Sequence, residues 1–536
     1  MGRRASEKKA VGSLVALVAF FIASAASAQT DIVTDLDGGP RVVEDAGTAI
    51  EDAGSPSVKP VVEPPLQLDA GFTGNEVELS VGGSIRLSET LISRFQVDER
   101  QTVAPDPFEV RVRVAPELKY GQARLFVEFD AVNGAVIGTP GPTIVADRTP
   151  VRFISAVELR QAFLEYRWAT GALRLGQQTS QFGLGILSNS GATDAAPGDF
   201  GQARYGSLAW RLLAIGRPLY DFGGAWRAVE PVLAADLVVR DGTADFYEGD
   251  RAFQGIIGLR FNAAPEKILA LTAIYRYQRA EIAPTGERAT DAVVIDLAGR
   301  WKWDALSVGF ELAAITGTTT QGRTTEAPVM HVNQLGALGK VAYQINDTTL
   351  MLDVGYASGD NNPYDDQNNA FRFDRDTHAG LILFDQVIGY QTARTALRLS
   401  DPTLTGYPPE SINLLPTGGS ITSAAYFFPR VSHHLADWLD VYGGPLVAFS
   451  TAKLTDPYNS RLTGGGATIN AFGSKPGDYL GTEVDLGMQG KWDLTPDLHV
   501  AATLEGGAFF PGNAFAKQGG RMDPVGLVRL RVSLSL

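Results

Sequence analysis

Charged side chains in this sequence recur two residues apart inside otherwise apolar runs, and that spacing limits what they can do. Arg111 and Arg113, Glu165 and Arg167, Asp296 with Arg300, and Glu483 and Asp485 with Lys491 each fall on one face of an extended segment, because alternate strand residues point the same way. Arg124, Arg174, Arg260 and Arg276 hold equivalent places in other runs. Guanidinium and carboxylate groups gathered on one face suit electrostatic filtering of solutes. Two readings stand side by side. In one, Arg111, Arg113, Arg124, Arg167, Arg174, Arg260, Arg276 and Arg300 form a basic track for anionic solutes. In the other, bases and acids neutralise one another in a ladder that only keeps a wide interior wet, and this is the expectation for most individual residues.

Other chemistries have less to work with. The five histidines, His331, His378, His433, His434 and His499, lack the partners of a triad or a zinc site, and cysteine is absent. Neither an enzyme nor a cofactor is expected. Asp360, Asp365 and Asp366 lie in a stretch of oxygen donors from Gly359 to Asn369 that calcium could use. Asp and Asn are also what turns use and the EF-hand spacing is missing, so a plain polar loop is expected there. A formal net charge of −14 argues against nucleic acid as a partner.

The elements that would position these charges show best between Gly477 and Pro511. Leu480, Thr482, Val484, Leu486, Met488, Gly490 and Trp492 make one face, and Gly481, Glu483, Asp485, Gly487, Gln489 and Lys491 the other. A tight turn at Asp493 to Asp497 follows, and alternation resumes with Leu498, Val500, Ala502 and Leu504. Similar runs recur from Glu76 onward, including Ala172 to Phe182, Arg204 to Ile215 and Ala292 to Trp303. Together they predict about 18 strands, an even number as a single-chain membrane barrel requires. Short connections, such as Ala169 to Gly171 and Asn346-Asp347, alternate with long ones, such as Gly183 to Ala203 and Ser358 to Ile421. Periplasmic turns and extracellular loops alternate in that way. Trp168, Trp226, Trp301, Trp303, Trp438 and Trp492 stand beside short connections, as an aromatic girdle at one rim would place them. With the oily face toward lipid, the charged face must look into a lumen, since a charge at mid-bilayer costs about 2–4 kcal/mol.

Three regions result. Residues 1–28 read as a signal peptide: Arg3, Arg4, Lys8 and Lys9 precede an apolar run from Val11 to Ile22, and Ala26-Ser27-Ala28 supplies the small residues before cleavage. Residues 29–75 read as an acidic Pro/Gly-rich disordered periplasmic leader, too poor in apolar surface to offset chain entropy. Residues 76–536 read as an all-β, antiparallel up-and-down transmembrane barrel of the bacterial outer membrane. Lipid, lipopolysaccharide and the barrel-assembly machinery are its expected partners, and small or polymeric solutes its expected cargo.

The C-terminal third resembles the alginate-export family of outer-membrane porins. The likeness is carried by Tyr356 to Pro363, by Ala424 to Pro429, by Leu480 to Leu486 and by Gly506 to Gly512, with weaker similarity at Leu159 to Tyr166 and Leu173 to Gln178. It implies a monomeric barrel of about 18 strands and, from the best-known members, passage of an anionic polysaccharide through an arginine-rich pore. Anionic sugars or small organic acids are the preferred cargo. The rival expectation is a barrel blocked by Ser358 to Ile421 that serves as a surface binding or structural protein.

Overall fold

A computed structural model describes residues 77–536 apart from 139–152, 156, 193–195, 265, 283–285, 323–326, 363–364, 406–411 and 463. The predicted signal peptide and acidic leader lie outside the described residues.

Twenty strands share one sheet; the short Phe153–Ser155 and Gln367–Asn368 are side pairings, and the other eighteen close on themselves. In chain order they are β1 (Val77–Ile92), β2 (Phe108–Tyr120), β3 (Ala123–Ile137), β4 (Glu158–Trp168), β5 (Gly171–Thr179), β6 (Leu208–Gly216), β7 (Val229–Arg240), β8 (Arg251–Ala264) and β9 (Lys267–Ile282). The circuit continues with β10 (Gly286–Trp303), β11 (Leu306–Thr319), β12 (Met330–Ile345), β13 (Thr348–Ala357), β14 (Ala424–Ala436), β15 (Leu439–Ser450), β16 (Tyr479–Asp493), β17 (His499–Pro511) and β18 (Val525–Ser535). Each pairs antiparallel with its neighbours in sequence. Closure comes from β1, which pairs with β2 on one side (Val77↔Tyr120 to Glu89↔Phe108) and with β18 on the other (Ser84↔Ser535 to Ile92↔Leu527). A closed sheet leaves no unpaired edge, the condition for strands to cross a bilayer.

The pleat sorts the side chains. On β16, Val484, Leu486 and Met488 point out and are exposed, while Glu483 and Asp485 point in and are 0% exposed. Leu175, Leu233, Ile257 and Leu530 continue the outward apolar surface around the barrel. An Leu486→Arg substitution in the middle of β16 should therefore cost about 2–4 kcal/mol of folding free energy in lipid vesicles, measured by urea titration. Tolerance of that charge would contradict a lipid-facing outer surface. Trp438 and Trp492 stack at the short-turn rim with centroids 5.7 Å apart, and Trp168, Trp301 and Trp303 sit at strand ends on the same rim.

Strict alternation breaks at Leu480 and at Arg160, and two element bounds differ from those expected. Leu480, assigned to the oily face, turns into the interior and is 2% exposed, because the register slips between Ala448 and Phe449 and Gly481 takes φ 143°. On β4 a register shift opposite Glu128 and Phe129 turns Arg160 and Gln161 both inward, so Arg160 is buried where period two would aim it at lipid. Arg204 to Ser207, expected as the start of a strand, is loop, and β6 begins at Leu208. Trp226, expected beside a short turn, lies in the longer connection between β6 and β7.

The long connections at the other rim are not all external. Among the described residues, parts of the connection between β5 and β6, around Ile186 and Phe200, and of that between β13 and β14, from Phe371 to Ile388 and at Ile421, fold into the barrel. The second contains helix α1 (Gly389–Ser400). Phe371, Phe373, Ile382, Leu383, Phe384 and Val387 pack with Tyr426, Phe428, Leu446, Leu480 and Phe509 of the wall in one buried cluster. That packing explains why β14 is apolar on both faces: Phe427 meets the exterior, while Tyr426 and Phe428 meet the in-folded segment.

Candidate functional site

The in-folded residues 196–206 run around the inner wall, and its arginines hold their backbone. Guanidinium groups donate to the carbonyls of Gly198 (Arg430, 2.5 Å), Phe200 (Arg529, 2.7 Å), Gly201 (Arg531, 2.9 Å) and Ala203 (Arg86, 2.8 Å; Arg111, 3.4 Å). Arg160 reaches the carbonyls of Tyr205 at 3.1 Å and Ser190 at 2.6 Å, and Arg240 reaches that of Tyr205 at 3.3 Å. Loop carbonyls carried away from water need such donors, and hydrogen bonds from charged groups are the stronger kind. Backbone N–H groups are met in the same way: the Asp376 carboxylate accepts from Arg204, Tyr205 and Gly206 at 2.6–3.0 Å, tying the two in-folded segments together. Arg204 spans Glu109 of β2 at 2.9 Å and Asp385 at 3.3 Å. Burial alone would lower the Arg204 pKa, but Glu109 and Asp385 hold it well above the usual guanidinium value.

The residues singled out from sequence face inward, and most are matched to an opposite charge. Arg113 meets Asp130 at 2.7 Å, Arg124 meets Glu117 at 2.5 Å, and Glu165 lies between Arg167 and Arg174. Arg260 meets Glu230 and Arg276 meets Asp241, each at 2.5 Å, and Lys491 meets Asp440 at 3.1 Å. Arg300 is exposed near the short-turn rim and makes no ion pair among the described residues. The arginines of β2 to β5 thus share one arc of wall with their acids, while Arg260, Arg276 and Arg300 stand on β8 to β10. Neutralised pairs dominate over an open basic track. Glu483, Asp485 and Asp296 are buried under the in-folded segments. Asp360 and Asp365 accept local turn N–H groups from Asn362 and Gln367, and no group of three acids or histidines gathers in metal-binding geometry among the described residues.

The in-folded segments occupy the lumen unevenly. A cavity of about 250 Å³ remains between them and the wall from β6 to β12. Asp236, Arg276 and Gln278 line it from the wall, Asp241 from the connection after β7, Ser180 and Ser207 from one in-folded segment, and Arg372, Asp374 and Arg375 from the other. Arg372 donates to the carbonyls of Leu414 and Pro416 at 2.9 and 3.1 Å and has no carboxylate partner among the described residues. Burial and the neighbouring Arg375 push its pKa down to about 10, so it remains charged at neutral pH. Arg375 lies 5.4 Å from the Tyr205 ring centroid, and its buried Nε has no hydrogen-bond acceptor among the described residues. Burial and the Asp376 carboxylate beside it push Asp374 up to about 7. Arg160, Arg204, Arg372, Arg375, Asp374 and Asp376 escaped the choice of site residues: one sits at a bulge and the others in segments whose inward course has no periodic signal.

No protein-family model matches the chain and no curated protein matches it, so the alginate-export resemblance gains no support from these comparisons. Solved structures do align with it. They include Pseudomonas aeruginosa OpdK with vanillate (10% identity, TM-score 0.47, covering 85% of this chain and 98% of that one) and Pseudomonas aeruginosa OccK5, also named OpdH (11% identity, TM-score 0.46, 87% and 99%). Another is OccD1, also named OprD (12% identity, TM-score 0.46, 87% and 97%).

Proposed function

We propose that the protein is a passive diffusion channel of the bacterial outer membrane for small solutes, with a preference for anions such as small organic acids or sugar acids. The observation that carries this is the cavity left beside the in-folded segments, which Arg276 of the wall and Arg372 and Arg375 of the second segment line together. A closed barrel with an apolar outside and a charged inside fits a bilayer, and two cross-bonded segments in the lumen favour small cargo over a polymer. Wall ion pairs keep the interior wet, and the loop arginines bias the path. Planar-bilayer recordings with reversal potentials under a salt gradient test it: discrete channels with anion preference are expected, and absence of any channel would refute the proposal.

The acid beside those arginines gives a second handle. With Asp374 titrating near 7, it is neutral below that pH and negative above it. Anion preference should therefore strengthen as pH falls through about 7 and weaken above it, while Asp374→Asn should hold the acidic value throughout. A reversal potential with the same pH dependence in both proteins would remove Asp374 from the conducting path.

The rival reading is a plugged barrel that presents its surface loops to a binding partner. Its specific support is the buried cluster around Phe384 and Val387, which is packed like a globular core. Single-channel recording with and without residues 358–421 separates the two, because a plug conducts only once removed.

A further inference from the structure

The two in-folded segments carry the same local design. In the first, Gly183 has φ 46°, and the N–H groups of Leu184, Gly185, Ile186 and Leu187 donate to the Glu311 carboxylate of β11 at 2.5–3.2 Å. In the second, Gly380 has φ 72°, and the N–H groups of Leu381, Ile382 and Leu383 donate to the Glu483 carboxylate of β16 at 2.5–2.8 Å. The sequences match in kind: Gly183-Leu184-Gly185-Ile186-Leu187 and Gly380-Leu381-Ile382-Leu383. A Cβ on Gly183 would lie 2.7 Å from Glu311 Oε2, and one on Gly380 would lie 2.8 Å from Glu483 Oε1. Successive N–H groups after a left-handed residue form a concavity that binds an anion, and here the anion is a side chain of the wall.

Each glutamate also touches an aspartate. Asp296 of β10 is within hydrogen-bonding reach of Glu311, and Asp485 is within reach of Glu483. Asp296 is 1% exposed and Asp485 0%. Oδ2 of Asp296 and both carboxyl oxygens of Asp485 meet no donor among the described residues. Two carboxyl groups in contact at a dry site cannot both ionise. One shared proton satisfies each pair, since it bridges the two carboxyl groups and leaves the glutamate's remaining lone pairs for the loop. Asp296 and Glu311 face each other; Asp485 faces, besides Glu483, Glu505 and Arg529, which are themselves joined at 2.6 Å.

We infer that Asp296 with Glu311, and Asp485 with Glu483, are two independent proton-carrying latches, each holding one in-folded segment in the lumen and releasing it when its proton leaves. Loss of the proton sets two negative charges side by side, and the pair separates by letting the glutamate and its loop leave the wall. The lumen would then widen in two steps under alkaline conditions. This inference stands on the fold and not on the cargo, so its test needs no current.

Hydrogen exchange of the folded, vesicle-inserted protein reads the latches directly, with rates corrected for the intrinsic pH dependence of amide exchange. From neutral to alkaline pH, protection of 184–187 and of 381–383 should each fall by about tenfold or more. In Asp296→Asn the first segment should stay protected while the second still opens, because the amide donates to Glu311 at every pH. Asp485→Asn should show the reverse. Should an asparagine variant not insert, Glu311→Gln or Glu483→Gln removes the shared proton from the other side and serves in its place. Protection independent of pH in the unmodified protein overturns the inference, as does simultaneous opening of both segments in the unmodified protein and in both variants.

Discussion

Replacement of Arg160 by methionine is expected to cost about 3–5 kcal/mol, the range for removing one partner from a buried ion pair. Arg160 is 0% exposed and serves Glu128 at 3.2 Å together with the carbonyls of Tyr205 and Ser190. Methionine has a similar length and no donor, so it would leave a buried carboxylate and two loop carbonyls short of partners at once. The loss should appear in urea-titrated folding into lipid vesicles. It should be accompanied by faster proteolysis within 190–206, because the same side chain anchors both ends of that stretch. Arg160→Lys should recover only part of the stability, since one ammonium cannot reproduce the forked geometry that reaches three acceptors. A loss below about 1 kcal/mol, the scale of an exposed pair, would show that the arginine is hydrated in the membrane-inserted protein and holds nothing.

Replacing residues 196–206 by a short Gly/Ser linker should have the largest effect on conduction. Arg430, Arg529, Arg531, Arg86 and Arg111 now spend donors on carbonyls of that stretch. Without it the lumen gains width and the wall arginines face water. Single-channel conductance should rise several-fold, and anion preference should strengthen rather than relax. The direction of selectivity is the sharper readout, because any widening raises conductance. A wider channel with weaker anion preference would mean that wall acids such as Glu109 and Glu505 govern the field once the loop is gone.

Much of the barrel was legible in the sequence because its physics is local. The pleat has period two, so Glu483 against Leu486 or Arg113 against Val112 declares which side faces lipid without knowledge of any distant residue. Turn lengths ordered the rims for the same reason. Legibility ended where a residue's role depends on something far away in the chain. Alternation along β11 turns Glu311 inward, yet nothing near it in the chain shows that Leu184 to Leu187 come to sit on it. Arg111 looked like part of a basic track because its alternation is plain, while the carbonyl of Ala203 that it reaches is 92 positions away. The bulge at Arg160 was hidden for a different reason: one inserted residue reverses every facing beyond it, and composition carries no mark of the insertion. A signal for the inward segments did exist in the paired Gly-Leu motifs at 183 and 380, which are too apolar for loops that remain in water.

The packing of Phe371, Phe384, Phe428 and Phe509 inside the wall has one more consequence. A barrel filled with water draws little on solvent exclusion within its lumen, and its stability comes chiefly from strand pairing and from lipid. Here one side of the lumen is dry, so unfolding would hydrate apolar surface that lipid never touched. That portion of the stability carries the positive heat-capacity change of a soluble protein's interior and weakens on cooling. The in-folded segments and the strands around them would then answer differently to temperature, the former loosening in the cold while the hydrogen-bonded cylinder stays closed.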